Sequence, residues 1–464
     1  MLAASPDAVE VRFNRAGLLT ELGRTDEAKS AYIELLAKEP GHLGALSSLG
    51  RLLYASGYRM AAHTVYTQAV AMHPGSADAH VNLADVLAQQ HEIELAMEHY
   101  ETALRLDPDH IQAHRGMADV LVELRHEDRA AAHRQKGYQD RPLLEIPFYG
   151  EGTPITVVML VSATGGMVRI QHHLDSRVFH VWVVFVEYFD PSTPLPEHQL
   201  IFNAIGNADR CGPALEAADR ILANTSAPVI NQPSKVALTS RVETARRMGA
   251  IDGVVTPKTS LVERTFLESA DASSRLADQG FGFPLLLRSP GYHTGRYFMR
   301  IENEKELAVS LQCIPGEEIL AIQFLDARGV DGKIRKYRAM IVDGALYPLH
   351  LAIAQDWKVH YFTAEMADSP GHRAEDAAFL DDMGKALGPR AMGALEKVRE
   401  TLDLEYGGVD FSVSPAGDVI LFEANASMVV YSPDKDPRWD YRRPAVQRVL
   451  DAIRQMLTKS LPLQ

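Results

Sequence analysis

The stretch YGGVDFSVSPAGDVILFEAN, residues 406–425, carries the clearest structural signal in this chain. Two runs rich in apolar residues lie on either side of PAGD (415–418), and Pro, Gly and Asp are typical turn residues. The stretch therefore predicts two antiparallel strands joined by a tight turn. Centring the turn between Ala416 and Gly417 predicts which residues face each other across the two strands.

The predicted pairing gives the hairpin an apolar side and a polar side. On the apolar side, Phe411 faces Phe422 and Val413 faces Ile420. On the polar side, Asp410 faces Glu423, and Asn425 shares that side because side chains alternate along a strand.

These three polar side chains predict a metal site. Carboxylate and amide oxygens are hard ligands of the kind that Mg²⁺ prefers. The neighbouring sequence supplies no cation, and two facing carboxylates repel each other unless an ion lies between them. We therefore expect Asp410, Glu423 and Asn425 to bind Mg²⁺. The alternative is a polar side of an edge hairpin that faces solvent.

The pattern Asp-x12-Glu-x-Asn on a hairpin resembles the metal site of ATP-grasp ligases. Three upstream segments occur in the same order as in that family. They are NQPSKVALTSRVETARRMGAIDGVVTPKT (231–259), GFPLLLRSPGYHTGRYF (282–298) and ILAIQFLDARGVDGKIRKYRAMIVDG (319–344). The resemblance covers residues 200–430 and implies an ATP-grasp fold that binds ATP and Mg²⁺.

The resemblance also implies roles for individual residues. Arg241, Arg288 and Arg338 fall where the family binds the phosphates of ATP, with Arg338 and Arg288 beside the transferred phosphate. The other implied ATP contacts are Ser289, Gly291 and Gly295 in a loop over the phosphates, and Gln323, Phe324 and Leu325 along the adenine. The family usually has lysines where this chain has Arg241 and Arg288, and arginine can bind phosphate through two parallel hydrogen bonds.

The segment ALYPLHLAIAQDWKVHYFTAEM, residues 345–366, lies where ATP-grasp enzymes often contact their substrates. Its candidate substrate contacts are His350, Lys358 and His360, with Trp357 and Tyr361 as walls. These residues differ from the arginine-containing pattern usual in the family, which indicates an unusual substrate. The alternative is a structural strand pair with solvated polar ends.

A 34-residue repeat occupies the N-terminal part of the chain. Four sets of residues recur at this spacing: Pro40, Pro74, Pro108 and Pro142; Ala28, Ala62, Ala96 and Ala130; Tyr32, Tyr66 and Tyr100; Leu19, Leu53, Leu87 and Leu121. The period resembles the tetratricopeptide repeat, a helix pair that buries its apolar face only against neighbouring pairs. The fourth copy is degraded, with Arg134 at the tyrosine position and Gly137 at the next small position, as is typical of a terminal repeat.

We therefore expect an α-solenoid of four helix pairs over residues 1–142, with three regular pairs and a capping pair. Repeats of this kind often bind a peptide or a protein on their concave surface. A spacer and a dimerisation module are the alternatives.

The next segment, residues 143–258, is expected to form an α/β domain. The sequence predicts strands at 155–163, 179–189 and 200–206, a helix at 214–224, a short strand at 227–233 and a helix at 237–250. This alternation predicts a parallel sheet covered on both faces. Through the resemblance, 143–258 is a pre-ATP-grasp domain and 259–464 is the ATP-grasp domain, whose two α+β subdomains enclose ATP.

Composition restricts the class of protein further. The chain has 464 residues, which is too many for one hydrophobic core, and its net charge of −14 argues against sequence-independent binding of nucleic acid. No apolar run is long enough to cross a membrane, and the N-terminus lacks a secretory signal. Only Cys211 and Cys313 are present, which favours a reducing cytoplasm.

Together, these observations predict an ATP- and Mg²⁺-dependent ligase that activates a carboxylate as an acyl phosphate and joins it to an amine or a thiol. The repeats would recruit a peptide or protein substrate, and a homodimer is compatible with them. Two alternatives stay open: a phosphotransferase on the same fold, and a scaffold with an inactive nucleotide domain. The intact Asp410, Glu423 and Asn425 argue against the scaffold.

Overall fold

The computed structural model describes residues 6–124, 126–168, 173–292, 295–359, 364–433 and 436–459. The chain divides into two compact units, one ending at Pro142 and the other beginning at Leu143. Among the described residues, no helix is both long and apolar enough to cross a lipid bilayer.

Helices alone make up the described part of the first unit. They are α1 (Pro6–Glu21), α2 (Thr25–Leu36), α3 (Leu43–Ala55), α4 (Arg59–Met72), α5 (Ala77–Gln89), α6 (Ile93–Leu106), α7 (Ile111–Glu123) and α8 (Glu127–Tyr138). Each helix packs against the next, so four helix pairs follow one another at the 34-residue period. The predicted helical repeat region is therefore confirmed.

Close approach of the helices depends on glycine at one position of the second repeat. Gly50 stands where the other three repeats have alanine, and a Cβ added to Gly50 would collide with the ring of Tyr66. That ring is only 5% exposed, so it has little freedom to move away. Gly17, in contrast, has nothing nearer to its added Cβ than the Tyr32 hydroxyl at 3.9 Å.

The fourth helix pair packs through different contacts. Arg134, at the tyrosine position, pairs with Glu127 at 3.4 Å. Arg115 of α7 donates from Nε to the Gly137 carbonyl at 2.8 Å, and its guanidinium lies 4.4 Å from the centre of the Tyr138 ring. Polar and cation–π contacts thus replace the buried tyrosine in this last pair.

The described part of the second unit contains three sheets. The first has the order β1-β3-β2-β4-β5, with β1 (Leu143–Ile146), β2 (Ile155–Val161), β3 (Phe179–Phe185), β4 (Leu200–Asn203) and β5 (Val229–Ile230). Strands β2 to β5 are parallel, as predicted. The edge strand β1 is antiparallel to β3, and it is not among the strands predicted from the sequence. Helix α9 (Gly212–Leu222) follows β4.

The single helix predicted at 237–250 is wrong in its bounds. Two helices stand there, α10 (Pro233–Ala237) and α11 (Arg241–Met248). Ser240 separates them because its side chain accepts a hydrogen bond from the Glu243 amide at 3.2 Å, which caps the start of α11. This cap places Arg241 at the first position of α11.

The second sheet is antiparallel throughout and has the order β7-β10-β8-β9. Its strands are β7 (Thr259–Glu263), β8 (Leu285–Arg288), β9 (Phe298–Ile301) and β10 (Glu318–Gln323), and its helices are α12 (Arg264–Leu267), α13 (Ala272–Asp278) and α14 (Glu304–Cys313). Successive residues of β8 point to opposite faces: Leu287 packs in the core with the helices, and Leu286 packs in a second apolar cluster.

The third sheet has the order β12-β11-β13-β14-β6. Its strands are β6 (Val254–Val255), β11 (Ile334–Val342), β12 (Ala345–Ala354), β13 (Tyr406–Val413) and β14 (Val419–Asn425). Helices α15 (Pro370–Asp381), α16 (Met383–Leu402) and α17 (Arg443–Lys459) belong to the same part of the chain. Because β6 pairs with β14, the segment before residue 258 supplies a strand to this sheet, and the division at 258 stays a prediction.

The hairpin of β13 and β14 confirms one predicted pairing and corrects two. Asp410 faces Glu423, as expected, but Phe411 faces Leu421 and Val413 faces Val419. The predicted pairs of Phe411 with Phe422 and Val413 with Ile420 are therefore wrong. A register shift after Asp410 leaves Phe422 as the extra residue of a β-bulge, which the turn sequence does not reveal.

Replacing Gly50 with alanine is expected to destabilise the first unit by about 1–3 kcal/mol, because the new methyl group overlaps the buried Tyr66 ring. Gly17→Ala is the matched control, since its Cβ has room and a helix gains about 0.5–1 kcal/mol from this exchange. Urea unfolding followed by circular dichroism measures both effects. All three tryptophans lie in the second unit, so their fluorescence reports that unit separately. Equal shifts for the two variants would contradict the expectation.

Candidate active site

A row of four polar side chains crosses the third sheet. Arg338 of β11 lies opposite His350 of β12 on one side and opposite Asp410 of β13 on the other. Asp410 in turn lies opposite Glu423 of β14. Directly paired residues share one face of a sheet, so all four belong to the same face.

Asp410 sits at the centre of this row and is fully buried. Arg338 donates two hydrogen bonds to it, Nε to Oδ1 at 2.5 Å and Nη2 to Oδ2 at 2.7 Å. The ammonium of Lys336 lies 2.7 Å from Oδ2. Burial by itself would raise the pKa of Asp410, but the charges of Arg338 and Lys336 outweigh it and hold the pKa well below its usual range.

The sequence beside the two carboxylates contains no cation, but the fold brings two cations to them. Strand β11 supplies Lys336 and Arg338 from a segment about seventy residues earlier in the chain. These two charges relieve the repulsion between Asp410 and Glu423 without an ion. Repulsion between the carboxylates therefore does not by itself require a metal.

Glu423 is held by the residue that begins α11. Arg241 donates from Nη2 to Glu423 Oε1 at 2.7 Å, and its other terminal nitrogen binds Asp209. The Arg241 amide also donates to Asp209 Oδ1, at 2.9 Å. Burial opposes the charged form of Glu423, yet Arg241 and then Arg288 lower the pKa of Glu423. Arg241 thus bridges two carboxylates brought together from distant parts of the chain.

The hairpin offers carboxylate and amide oxygens of the kind that bind a hard divalent cation. Glu423 uses only Oε1 in hydrogen bonds among the described residues, which leaves Oε2 free as a ligand. Asn425 lies beside it and donates from Nδ2 to Oε1 at 2.8 Å, while its Oδ1 accepts from the amide and hydroxyl of Ser427. Asp410 adds a second carboxylate on the same face. These oxygen donors are the chemistry that Mg²⁺ requires.

Arg288 ends β8 and has unsatisfied hydrogen-bonding capacity. One terminal nitrogen donates to the Tyr292 carbonyl, and the guanidinium lies 5.3 Å from the centre of the Phe298 ring. Its buried Nε has no hydrogen-bond partner among the residues that the structure describes. Burial, together with the positive charge of Arg241, lowers the pKa of Arg288 to about 10. A buried donor without a partner is costly, so an anion at this place would stabilise the site.

The predicted phosphate loop begins at Ser289, which is 3% exposed. Gly291 and Gly295 both have positive φ, 80° and 75°, and a Cβ on either would meet another side chain. At Gly291 this neighbour is Arg210, whose Cδ lies 3.0 Å from the added atom, and at Gly295 it is Lys358. The glycines therefore allow two cationic side chains to lie directly against the loop.

The two described candidates for substrate contact, Lys358 and His350, have different neighbours. Lys358 donates to the Phe298 carbonyl at 3.2 Å, and burial together with the charge of Arg288 lowers its pKa, so it lies near Arg288. His350 is only 7% exposed, and burial together with the charge of Arg338 lowers its pKa well below the usual value. His350 is therefore a neutral side chain beside Arg338 on the same face of the sheet. His360 lies outside the described residues.

The predicted adenine segment follows the end of β10. Gln323 is exposed, and its backbone amide donates to the Lys258 carbonyl at 2.8 Å. Phe324 and Leu325 are half-buried. They belong to two apolar clusters, both of which contain Trp357. The cluster of Phe324 also contains Leu286, Leu320, Ile322, Val242 and Phe298. The cluster of Leu325 also contains Ala327, Ile334, Ala352, Ala354, Val359, Ile420, Ala364 and Phe422. Trp357 thus connects the apolar faces of the second and third sheets.

Two residues of the site were missed from the sequence. Lys336 lies two residues before Arg338, and that spacing places both side chains on one face of a strand, which is a signal the sequence contains. Asp209 stands in the loop between β4 and α9, where no motif marks it. Only the fold brings Asp209 to Arg241.

The charges of the site do not cancel. Its acids are Asp209, Asp410 and Glu423, and its bases are Arg241, Arg288, Lys336 and Arg338. Among the described residues, Arg288 is the member of this set without a salt bridge. The site therefore has one positive charge in excess, which favours a polyanionic ligand. The individual ATP roles expected for these residues stay predictions.

Comparison with known proteins gives matches to both units. The tetratricopeptide repeat family model matches residues 47–111. The chain is similar to MamA from Desulfovibrio magneticus RS-1, with 24% identity over 29% of this chain and 73% of that one, at a TM-score of 0.26. The N-terminal region therefore carries tetratricopeptide repeats. Among curated proteins, no match was found.

Two other similar structures extend over about two thirds of the chain. One is a RimK domain protein ATP-grasp from Sphaerobacter thermophilus, with 16% identity over 65% of this chain and 99% of that one, at a TM-score of 0.40. Another is the VanG D-Ala:D-Ser ligase from Enterococcus faecalis, with 10% identity over 66% of this chain and 99% of that one, at a TM-score of 0.42.

Arg338→Met is expected to cost about 3–5 kcal/mol of stability, because it leaves Asp410 buried without its main partner. Arg335→Met is the matched control on the same strand: Arg335 pairs with Asp331 and Glu375 near the surface, and such pairs contribute about 1 kcal/mol or less. Urea unfolding followed by tryptophan fluorescence measures both. If Arg338→Met costs no more than Arg335→Met, the buried pair does not hold the sheet together.

Proposed function

We propose that residues 143–464 form an ATP-dependent ligase of the ATP-grasp kind, which activates a carboxylate as an acyl phosphate. The observation that carries this proposal is Arg288, a buried guanidinium whose Nε has no partner within the described part of the chain, at the edge of a site with excess positive charge. The order of motifs in the sequence supports the same activity, because the Asp-x12-Glu-x-Asn hairpin follows an arginine strand and a glycine loop.

The phosphates of ATP would bind between the glycine loop and the row on the third sheet. Arg288 and Lys358 lie on the loop side, and Arg338 and Arg241 lie on the sheet side. Guanidinium groups bind phosphate oxygens through paired, charge-assisted hydrogen bonds. The adenine would lie against the apolar residues near Trp357, with Gln323, Phe324 and Leu325 as its edge.

Asp410, Glu423 and Asn425 would hold Mg²⁺ in this site. When bound, the ion would neutralise phosphate charge as it develops during the transfer. Asp410 already forms salt bridges with Arg338 and Lys336, so these two cations would stay near the phosphates whether or not Mg²⁺ is bound. We propose that Arg338 and Arg288 are the catalytic cations for the transferred phosphate.

The reaction would proceed in two steps. A substrate carboxylate oxygen attacks the γ-phosphorus, the bond to the β–γ bridging oxygen breaks, and ADP leaves. An amine or thiol then attacks the acyl carbon, loses its proton and displaces inorganic phosphate. Negative charge spreads over the phosphoryl oxygens in the first step, where Arg288 and Arg338 stabilise it. The loop that contains Gly291 would exclude water from the acyl phosphate.

The repeats are proposed to recruit a peptide or protein substrate. Binding on one part of a chain raises the effective concentration of the substrate at a site elsewhere on the same chain. This arrangement suits a substrate that is too large for the nucleotide cleft to hold by itself. Dimerisation of the chain through the repeats is the alternative role for the same surface.

Arg288→Ala is expected to weaken ATP binding about 10- to 100-fold, because charge-assisted hydrogen bonds to phosphate contribute about 1.5–3 kcal/mol. Calorimetric titration with ATP and Mg²⁺ measures the affinity. Arg275→Ala, on helix α13, is the control and should leave affinity unchanged, since its charge pairs with Asp271 at the surface. Unchanged affinity in Arg288→Ala would refute the nucleotide site, whereas transfer of the γ-phosphate to a stable product would identify a phosphotransferase.

A further inference from the structure

Two histidine couples recur in the helical repeats at one repeat period. His80 Nδ1 lies 2.9 Å from His99 Nδ1, and His114 Nδ1 lies 2.8 Å from His133 Nδ1. In both couples the first histidine belongs to the first helix of a pair and the second to the other helix. We propose that each couple binds one transition-metal cation of the Zn²⁺, Ni²⁺ or Cu²⁺ class through its two Nδ1 atoms. This inference is independent of the proposed ligase activity.

The position of one proton in each couple follows from a backbone contact. His80 Nε2 lies 3.2 Å from the Pro74 carbonyl, and His114 Nε2 lies 2.9 Å from the Pro108 carbonyl. A carbonyl oxygen only accepts, so Nε2 carries the hydrogen and Nδ1 presents a lone pair to the partner ring. A metal-ligating histidine has the same arrangement, in which the second ring nitrogen donates to a carbonyl and fixes the tautomer.

The partner ring completes each couple with a half-buried imidazole. Without an ion, the N–H of His99 or His133 must point at the lone pair of its partner. Burial, followed by the neighbouring histidine, lowers the pKa of His133 to about 4 and also lowers that of His99. Both rings are therefore neutral at pH 7, which is the form that binds metal.

The charged groups around the couples differ. Glu98 lies near His99, whereas Lys136 and Arg129 lie near His133, and Asp109 and His110 lie near His114. The first couple therefore has an acidic neighbour and the second has more basic ones. We expect the couple of His80 and His99 to bind a cation more tightly than the couple of His114 and His133.

An ion can enter with only a small adjustment. Two nitrogens bound at about 2.0–2.1 Å to one tetrahedral ion lie about 3.4 Å apart, so the half-buried ring must move by about 0.5 Å. Imidazole nitrogen suits Zn²⁺, Ni²⁺ and Cu²⁺. No group of three or more His, Cys, Asp or Glu able to hold a metal occurs among the described residues, so water would complete the coordination. When an ion binds, the hydrogen on Nδ1 of His99 or His133 moves to Nε2 of the same ring, so both rings bind as neutral imidazoles and no net proton is released.

The second repeat shows that the fold itself does not require these histidines. The positions one period before His80 and His99 are Leu46 and Val65, which pack together in an apolar cluster. The same helix–helix contact is thus apolar in one repeat and a pair of facing imidazoles in the next two. This difference provides natural substitutions for a test.

The test is a calorimetric titration of Zn²⁺ into chelator-treated full-length protein. The wild-type protein should bind two ions per chain. The variant His80→Leu/His99→Val should bind one. The variant that also carries His114→Leu/His133→Val should bind none. His63→Ala/His126→Ala, in which the couples are intact, should still bind two. Circular dichroism checks that each variant keeps its helices.

A second measurement needs no variant. X-ray absorption at the zinc edge of the wild-type complex should show two imidazole ligands per ion. Any of three results would overturn the proposal: the wild type binds no Zn²⁺ at micromolar concentrations, the wild type and the variant lacking both couples bind equal numbers of ions, or the zinc edge shows no imidazole ligand.

Discussion

The buried pair of Asp410 and Arg338 is the interaction on which the rest of the active site depends. A fully buried carboxylate is stable only with a partner of opposite charge, and the two hydrogen bonds from Arg338 fix the distance between β11 and β13. Once this pair is formed, the alternation of side chains along each strand determines which other residues share its face of the sheet. Lys336 falls on the same face as Arg338, and Glu423 falls opposite Asp410. One electrostatic requirement thereby sets the position of each catalytic candidate on the third sheet.

The same charges define what the site can bind. Asp410 and Glu423 are already compensated by Lys336, Arg338 and Arg241, so a bare divalent cation finds little net attraction. Arg288 has no such compensation and lies beside a loop whose glycines keep it close to other cations. A polyphosphate that brings its own Mg²⁺ satisfies both conditions. The proposed binding of Mg²⁺ together with ATP follows from this distribution of charge.

The sequence predicted features set by local patterns better than features that depend on contacts between distant parts of the chain. The repeats follow from a 34-residue period that local packing alone produces, and the helical repeat region was therefore predicted correctly. The predicted turn centre placed the pairs nearest the turn one residue out of register, and the bulge at Phe422 restored the predicted facing of Asp410 and Glu423. Lys336 and Asp209 were missed because each reaches its partner only through the tertiary fold. The helix predicted at 237–250 is divided by the cap at Ser240. A cap depends on a single residue, and the apolar pattern used to predict the helix continues across it.

The most direct measurement of the central claim is hydrogen–deuterium exchange with and without the non-hydrolysable analogue AMP-PNP and Mg²⁺. If the glycine loop and the adenine segment clasp a nucleotide, backbone amides in 285–292 and 319–325 should exchange more slowly when it is bound. The helical repeats, in contrast, should exchange at unchanged rates. No change in those two segments at a saturating concentration, or protection confined to the repeats, would contradict the account.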